Sequence, residues 1–455
     1  MLIYSISQAE DLKEIPVWVE WLELRLDLCA ELLNHLDSLT NYKVIITDRW
    51  IEEGGKSSRT ISEKLLLFKS LLSLPNLAFD LEIAMLEEVG DLGIDFQRVI
   101  LSNHSFAPFS ASLIQQRIKQ AQHHKPFFIK LAQKCDSLQE LIEFYNLINT
   151  YPQPILSVVM GRYSKLQRLL HQQLGSLGTY IVRAGKETVQ GQLTLAEVEK
   201  FPHFGNNQKF QWGGLIGGEQ VDSSIGIDYY NIHFRENNIP AVYLPLHIEE
   251  EDIALFFKLI ENNRELNSTC YGFSLTMPFK ATIPRLFSHS QISNLLIWGE
   301  EKRFYNSDRD AFMAIKQKLQ QFPIDNILIY GSGSMARLAI EVFQDYKITL
   351  TARSKTKLAE LRKEYELREI IDQISPSLYF DLMINCSSLG MNGESFSEET
   401  GINKFKYVID LPYSQVEIPL QLEVGEKYIS GREFWRYQSE KQLQLFKESI
   451  ENDKE

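Results

Sequence analysis

The sequence predicts an α/β protein: an N-terminal (β/α)8 TIM barrel, then a two-lobed region made of an α/β lobe and a Rossmann lobe. Three observations carry this expectation. Residues 1 to about 200 alternate short apolar runs with helical patterns eight times. A polar, glycine-bearing stretch, Phe201-Pro202-His203-Phe204-Gly205-Asn206-Asn207-Gln208-Lys209, separates them from a second α/β pattern starting at Gly213. Further on, Ile327-Leu328-Ile329-Tyr330 runs straight into the turn Gly331-Ser332-Gly333-Ser334-Met335-Ala336.

Taken in order, the barrel strands are expected at residues 2–6, 19–26, 44–47, 77–81, 98–102, 127–131, 155–159 and 179–182. The barrel should occupy residues 1–203 and a linker 204–212. A second α/β domain should occupy 213–310 and a dinucleotide-binding Rossmann domain 311–431, with a polar helical stretch at 432–455. A chain of 455 residues exceeds what one hydrophobic core supports, which agrees with several domains.

A net charge of −13 argues against a nucleic-acid surface and against acidic membranes. The four cysteines are far apart, without metal-knuckle spacing, as in a reducing compartment. The N-terminus has no basic leader, and no apolar run approaches the roughly 20 residues of a membrane span. The expectation is a cytoplasmic protein acting on small molecules, with no metal, no nucleic acid and no membrane, and with a homodimer left open.

Two groups of residues point to chemistry. In the first, Glu23, Arg25 and Asp27 alternate with Leu22, Leu24 and Leu26, which puts the charges on one strand face. Thr47-Asp48-Arg49 and Glu53-Gly54-Gly55 follow the next strand. Ser102-Asn103-His104 ends another, and Lys130 sits inside the apolar run Phe127-Phe128-Ile129-Lys130-Leu131-Ala132. Arg168 and Gly191-Gln192 come later. Singly, each has an ordinary reading: a solvated strand face, a surface loop, a structural histidine, a strand-edge lysine, a helix-surface arginine, a loop amide. What points to a site is their order, most of them near the C-terminal end of a successive strand, where barrel enzymes work. A buried lysine is also the residue suited to forming a Schiff base with a ketone.

Through Glu-Leu-Arg-Leu-Asp (23–27), Thr-x-Arg-x-x-x-Glu-Gly-Gly (47–55), Ser-x-His (102–104), Lys130, Arg168 and Gly-Gln (191–192), residues 1 to about 200 resemble type I 3-dehydroquinate dehydratase. The resemblance implies that Lys130 condenses with the ketone of 3-dehydroquinate. His104 then removes the C2 proton and protonates the departing hydroxyl, and Glu53 orients His104. Arg168 would clamp the substrate carboxylate, and Glu23, Arg25 and Arg49 would bind ring hydroxyls. Thr188 and Gln192 would close the lid side, where Thr188 stands for a usual serine and Gln190 for a usual proline. Arg25, Arg49 and Arg168 should depress the pKa of Lys130.

In the second group, the glycine turn has the strand–turn–helix context of a pyrophosphate site, with Ala336 as the third small residue. The next strand ends in Ala352-Arg353-Ser354, with no acid to grip a ribose hydroxyl. Arg353, Ser354 and Lys357 suit a 2′-phosphate, which points to NADP(H). Gly-x-x-x-Thr-x-Pro-x-Lys (272–280), Asn294, Asn-x-Asp (306–308), the glycine turn, Ile-Asn-Cys-Ser-Ser-Leu-Gly-Met (384–391), Asp-Leu-x-Tyr (410–413), Gly431 and Gln438 resemble the shikimate dehydrogenase family over about 213–455. That resemblance implies hydride transfer to 3-dehydroshikimate, with Lys280 and Asp308 as the proton-transfer pair. Ser224, Thr276, Asn294, Tyr413 and Gln438 would bind substrate. Gly331, Ser332, Gly333, Ser334, Met335, Ala336, Arg353, Ser354, Lys357, Leu411 and Gly431 would bind cofactor, in a cleft between the two lobes.

The departures from that family are Gly226 where a second carboxylate-binding serine is usual, Ser274 and Ala352 for asparagines, and Leu295 for threonine. They leave open a dehydrogenase of altered preference, such as one for quinate. A non-catalytic metabolite sensor would usually have lost Lys130, His104, Lys280 or Asp308, and all four are present. Together the resemblances imply a bifunctional enzyme of consecutive shikimate-pathway steps.

Overall fold

The computed structural model describes residues 1–88, 93–187, 189–204, 209–365, 369–370, 379–391, 394, 400–401, 405–412 and 427–452, and it divides into two compact units, Met1–Phe279 and Lys280–Glu455.

The first unit opens with parallel strands β1 (Leu2–Ile6), β2 (Trp21–Arg25), β3 (Lys43–Thr47), β4 (Leu77–Glu82), β5 (Val99–Ser105), β6 (Phe128–Lys134), β7 (Ile155–Met160) and β8 (Thr179–Val182), followed by the short β9 (Leu193–Thr194). Their hydrogen-bonded order is β7-β6-β5-β4-β3-β2-β1-β8-β9, the circular sequence of an eight-stranded barrel with β8 returned beside β1. Among the described residues the ladder is open between β7 and β8. That seam is bridged instead from the segment before β8: Leu177 N donates to Ile155 O at 2.9 Å, and Ser157 N donates to Ser176 Oγ at 2.9 Å.

Period-two alternation sorts each strand. Leu22, Leu24, Val44, Ile46, Phe79, Leu81, Leu101 and Ile129 form one buried set. The opposite positions fill the barrel in layers supplied by alternate strands, the usual stacking of such barrels. The floor is apolar, with Ile3, Ile45, Ile100 and Leu156 from the odd strands packed in one cluster with Ala78 and Phe128. Above it the even strands supply Glu23, Asp80, Lys130 and Tyr180, and the odd strands supply Ser5, Thr47 and Ser102, all buried. Each fully buried aliphatic side chain contributes about 1.5–3 kcal/mol. The apolar floor and outer set thereby offset the desolvation of the charged layer.

The same unit continues into β10 (Gln211–Gly217), β11 (Ala241–His247) and β12 (Cys270–Leu275), parallel in the order β11-β10-β12. Gln211 and Trp212, inside the expected linker, already belong to β10.

In the second unit β13 (Leu295–Ile297) and β14 (Arg303–Tyr305) form an antiparallel pair. The strands β15 (Asn326–Tyr330), β16 (Lys347–Thr351), β17 (Glu369–Ile370), β18 (Phe380–Asn385), β19 (Phe405–Asp410) and β20 (Lys427–Ser430) form a parallel sheet in the order β17-β16-β15-β18-β19-β20. That is the 3-2-1-4-5-6 order of a Rossmann fold, with its crevice where the order reverses, between β15 and β18. The final helix Gly431–Asn452 packs on helix Ser307–Leu319 through Phe434 and Phe312, whose ring centroids are 4.7 Å apart. Among the described residues no helix is long and apolar enough to cross a membrane, and no group of side chains could hold a metal ion.

Candidate active sites

Lys130 on β6 lies opposite Ser102 on β5 in the parallel register. Its Nζ is 3.1 Å from Glu23 Oε1 and 3.2 Å from Asp80 Oδ2. Asp80 in turn accepts from Arg49 Nη2 at 2.6 Å and from Ser102 Oγ at 2.6 Å. Arg49 Nη1 donates to Ser102 Oγ at 2.7 Å and to Glu82 Oε1 at 3.3 Å, and Lys64 reaches Glu82 at 2.9 Å. Glu23 is fixed by Ser5 Oγ at 2.6 Å and Thr47 Oγ1 at 3.0 Å.

These contacts reverse the expected pKa of Lys130. Burial lowers it, but Glu23, Tyr180 and Asp80 outweigh both burial and Arg49, so the group is raised above its ordinary value and rests as an ammonium. Of the three arginines expected to depress it, Arg25 is held bidentately by Asp27, with Nε–Oδ1 at 2.9 Å and Nη2–Oδ2 at 2.8 Å. Asp80 shows the converse: burial raises its carboxyl, and Arg49, Lys130 and His104 more than offset that, holding it lowered.

Glu53 is turned onto β5 by the two glycines after it. Gly54 has φ of +80°, and a Cβ on Gly55 would lie 1.9 Å from Arg49 O, so the loop closes this tightly only on glycine. Glu53 Oε2 accepts from the His104 backbone N at 2.8 Å and lies 3.0 Å from His104 Nδ1. Burial pushes the Glu53 carboxyl up to about 7, against the pull of Arg49. Burial, then Arg49 and Lys130, lower His104 well below its ordinary value, so the imidazole is neutral. With Nδ1–H donated to Glu53, Nε2 remains an acceptor.

Arg168, expected to be a carboxylate clamp, is 1% exposed. Its Nη1 donates to Val159 O at 3.0 Å and Ser164 O at 2.9 Å, and among the described residues no carboxylate pairs with it. Burial lowers its pKa to about 10. Gln192 lines a separate cleft of about 340 Å³ with Tyr163, Lys165, Asp222 and His247. Thr188 lies outside the described residues. The barrel thus brings Lys130, Glu23 and Arg49 together, with the Glu53–His104 pair beside Arg49, whose Nη1 is 3.8 Å from Glu53 Oε2.

Sequence reasoning missed Asp80, Glu82, Lys64 and Tyr180. The signal for the two acids was available: in Leu77-Ala78-Phe79-Asp80-Leu81-Glu82 they take alternate positions of a strand buried throughout, the same rule that singled out Glu23.

Of the second group, Ser224 and Thr276 lie in the first unit. Ser224 caps helix Ile225–Glu236, its Oγ accepting from Gly226 N at 3.2 Å. Thr276 follows β12, where its N donates to Ile216 O at 3.1 Å. Ser274 is buried, its hydroxyl bonded to the phenols of Tyr230 and Tyr243.

In the second unit Lys280 Nζ donates to Asp308 Oδ2 at 2.7 Å. Asn306, not Asp308, caps helix Ser307–Leu319, which leaves Asp308 in its first turn. Asn294 Nδ2 donates to Gln438 Oε1 at 3.3 Å and to Ser307 Oγ at 3.0 Å. A cleft of about 250 Å³ is lined by Lys280, Asn294 and Asp308 together with Ser334, Met335 and Arg337. The Lys–Asp pair therefore shares a cavity with the start of the glycine-turn helix.

Gly331, with φ of +135°, passes Cys386 so closely that a Cβ would lie 2.9 Å from its carbonyl. Gly333 begins helix Ser334–Val342 without a side-chain cap, leaving backbone N–H groups at a positive helix end. Ser332 is half-buried, Ala336 is buried, and the side chains of Arg353 and Lys357 are exposed, while Ser354 caps helix Lys355–Glu364. Leu411 N donates to Asn385 O at 3.1 Å, and Gly431 packs against the carbonyls of Leu411 and Pro412. Leu295 is buried in β13. Tyr413 lies outside the described residues.

Comparison with known proteins follows the same division. Residues 5–207 match the family model for type I 3-dehydroquinase, and residues 216–293 match that for the shikimate dehydrogenase substrate binding domain. A shikimate dehydrogenase (NADP(+)) from Maridesulfovibrio salexigens is 27% identical over 253 residues, covering 51% of this chain and 90% of that protein. One from Dictyoglomus turgidum is 28% identical over 250 residues, covering 50% and 88%. The solved dehydroquinate dehydratase and shikimate dehydrogenase from S. pombe AroM aligns over 100% of this chain and 98% of its own at 18% identity, with a TM-score of 0.41, too low to bear on the fold. The chain joins a domain of the type I 3-dehydroquinase family to a region of the shikimate dehydrogenase family.

Proposed function

We propose that the chain dehydrates 3-dehydroquinate to 3-dehydroshikimate on Lys130 and reduces that product to shikimate with NADPH. The domain division 1–203, 213–310 with 432–455, and 311–431 belongs to the same reading. The observation that carries it is the buried Lys130 ammonium, 3.1 Å from Glu23 and 3.2 Å from Asp80, beside a neutral His104 bonded to Glu53.

In the barrel, Lys130 adds to the ketone, and the protonated imine draws electrons from C2. His104 Nε2 takes the C2 proton and returns it to the leaving C1 hydroxyl, while Glu53 holds the ring in that tautomer. Arg168, buried without a carboxylate partner among the described residues, is the cation for the substrate carboxylate. Glu23, Arg25 and Arg49 hold ring hydroxyls, and the family resemblance alone assigns Gln192, which lines the separate cleft in this structure, and Thr188 to the lid side.

In the second half the uncapped helix at Gly333, the close pass at Gly331 and the exposed Arg353 and Lys357 suit a dinucleotide bearing a 2′-phosphate. When bound, NADPH supplies the hydride. Lys280, tied to Asp308, holds the proton for the reacting oxygen, and Asn294 and Gln438 orient the ring, with Thr276, Tyr413 and Ser224 as further ligands. Gly331 to Ala336, Ser354, Leu411 and Gly431 supply backbone and packing around the cofactor.

The test is to incubate the purified chain with 3-dehydroquinate and NADPH and follow products by mass spectrometry. Shikimate is expected. Accumulation of 3-dehydroshikimate alone removes the dehydrogenase half, and no added mass on Lys130 after borohydride removes the imine.

A further inference from the structure

Tyr180 is the fourth member of the even-strand layer that holds Glu23, Asp80 and Lys130. Its ring covers the lysine, with Nζ 4.2 Å from the ring centroid, a cation–π contact. The residue is 6% exposed, and its phenol oxygen lies within reach of the Lys130 ammonium, whose hydrogen bond lowers the phenol's pKa, and meets no other partner among the described residues. Burial first, and then Lys130, Glu23 and Asp80, set the acidity of the phenol, so Oη sits in the field of the same three groups. A hydroxyl buried without an acceptor for its own proton is a cost to the fold. A phenylalanine here would keep the ring over the ammonium and avoid that cost. The chain carries the hydroxyl instead, beside the one amine the proposed reaction uses.

We infer that Tyr180 is a catalytic residue whose hydroxyl relays protons from Lys130 to the substrate's carbonyl oxygen during imine formation. The inference rests on the proposed Schiff-base role of Lys130. The balance is closed without any further reagent. Lys130 enters as an ammonium and first gives one proton to Tyr180 as Tyr180 gives its own to the carbonyl oxygen; the lone pair freed on nitrogen then forms the C–N bond as the carbonyl π pair moves to oxygen. Two of its three protons pass to that oxygen, which leaves as water when the nitrogen lone pair forms the C=N bond. One proton stays on the iminium nitrogen, so net charge is unchanged. Tyr180 donates its proton to the oxygen and regains one from nitrogen, beginning and ending as a neutral phenol. The C2 proton remains the business of His104, so the two transfers use different groups.

The experiment compares wild type and Tyr180→Phe in rapid-quench borohydride trapping with 3-dehydroquinate, read as mass added to Lys130. In the variant the trapping rate should fall about tenfold or more, the range for a positioned proton-transfer group, with kcat falling in parallel. The isotope effect with C2-deuterated substrate should shrink toward unity as imine formation becomes limiting. The melting temperature should hold, because Lys130 keeps Glu23 and Asp80 as its partners. Trapping at the wild-type rate overturns the relay and leaves Tyr180 as a cation–π wall, with the Lys130 reading intact. A wild-type protein that dehydrates substrate but never gains mass overturns the Lys130 reading, and the relay with it.

Discussion

Asp80→Asn should lower the titration of Lys130 and weaken the fold together. Asp80 Oδ2 lies 3.2 Å from Lys130 Nζ. At an effective dielectric of about 20, a unit charge pair at that distance is worth about 5 kcal/mol, or about 4 pKa units. Glu23, at 3.1 Å, still pairs with the amine, and Arg49 loses the carboxylate it holds at 2.6 Å, so its charge adds to the fall. A drop of about 2–4 units is expected, which moves the appearance of the free amine to lower pH by the same amount. The assay is the pH dependence of reductive methylation of Lys130, read by peptide mass. The asparagine still accepts from Ser102, but breaking a buried pair costs about 3–5 kcal/mol, so the melting temperature should also drop. If Lys130 in the variant titrates where it does in wild type, the electrostatic account of this layer is wrong.

Glu53→Gln should abolish a pH inflection. The Glu53 carboxyl stands at about 7 against an ordinary 4.5, and its carboxylate form is the stronger acceptor for His104 Nδ1–H. Wild-type dehydration should therefore rise through about pH 7, and the variant should lose that step and about 10²-fold in kcat. Stability runs the other way: with the folded value raised, the contribution of Glu53 is full below 4.5 and is lost as pH rises through about 7. Melting curves of the glutamine variant should lack that component. Lys280→Met should lower shikimate oxidation by about 10²–10⁴-fold, with cofactor binding unchanged by fluorescence titration. Arg353→Ala should raise KM for NADPH about tenfold and leave KM for NADH alone, in steady-state kinetics at low salt. Gly226→Ser fits the space, since its Cβ would meet Ser224 Oγ at 3.4 Å and nothing nearer. It should lower KM for shikimate, and an unchanged KM would place the carboxylate elsewhere.

The eight barrel strands were legible because each is a short apolar run bounded by polar residues, and the glycine turn because strand, Gly-x-Gly and helix follow in order. The charge state of Lys130 was not legible, and the reason is geometric. Motifs along the chain group residues by sequence order, so they paired Lys130 with the arginines of the recognised set. A barrel groups residues by layer, and a layer is drawn from alternate strands. Glu23, Asp80, Lys130 and Tyr180 come from β2, β4, β6 and β8 and lie far apart in sequence, yet the acids end about 3 Å from the amine. Lys64 was hidden for a related reason. On helix Ile61–Ser70 a lysine reads as solvated, but this one is fully buried against Glu82. A single stretch of chain shows which face a side chain takes. It does not show which charge closes across the barrel to meet it, and in this site that second fact decides whether the nucleophile rests as an ammonium or as a free amine.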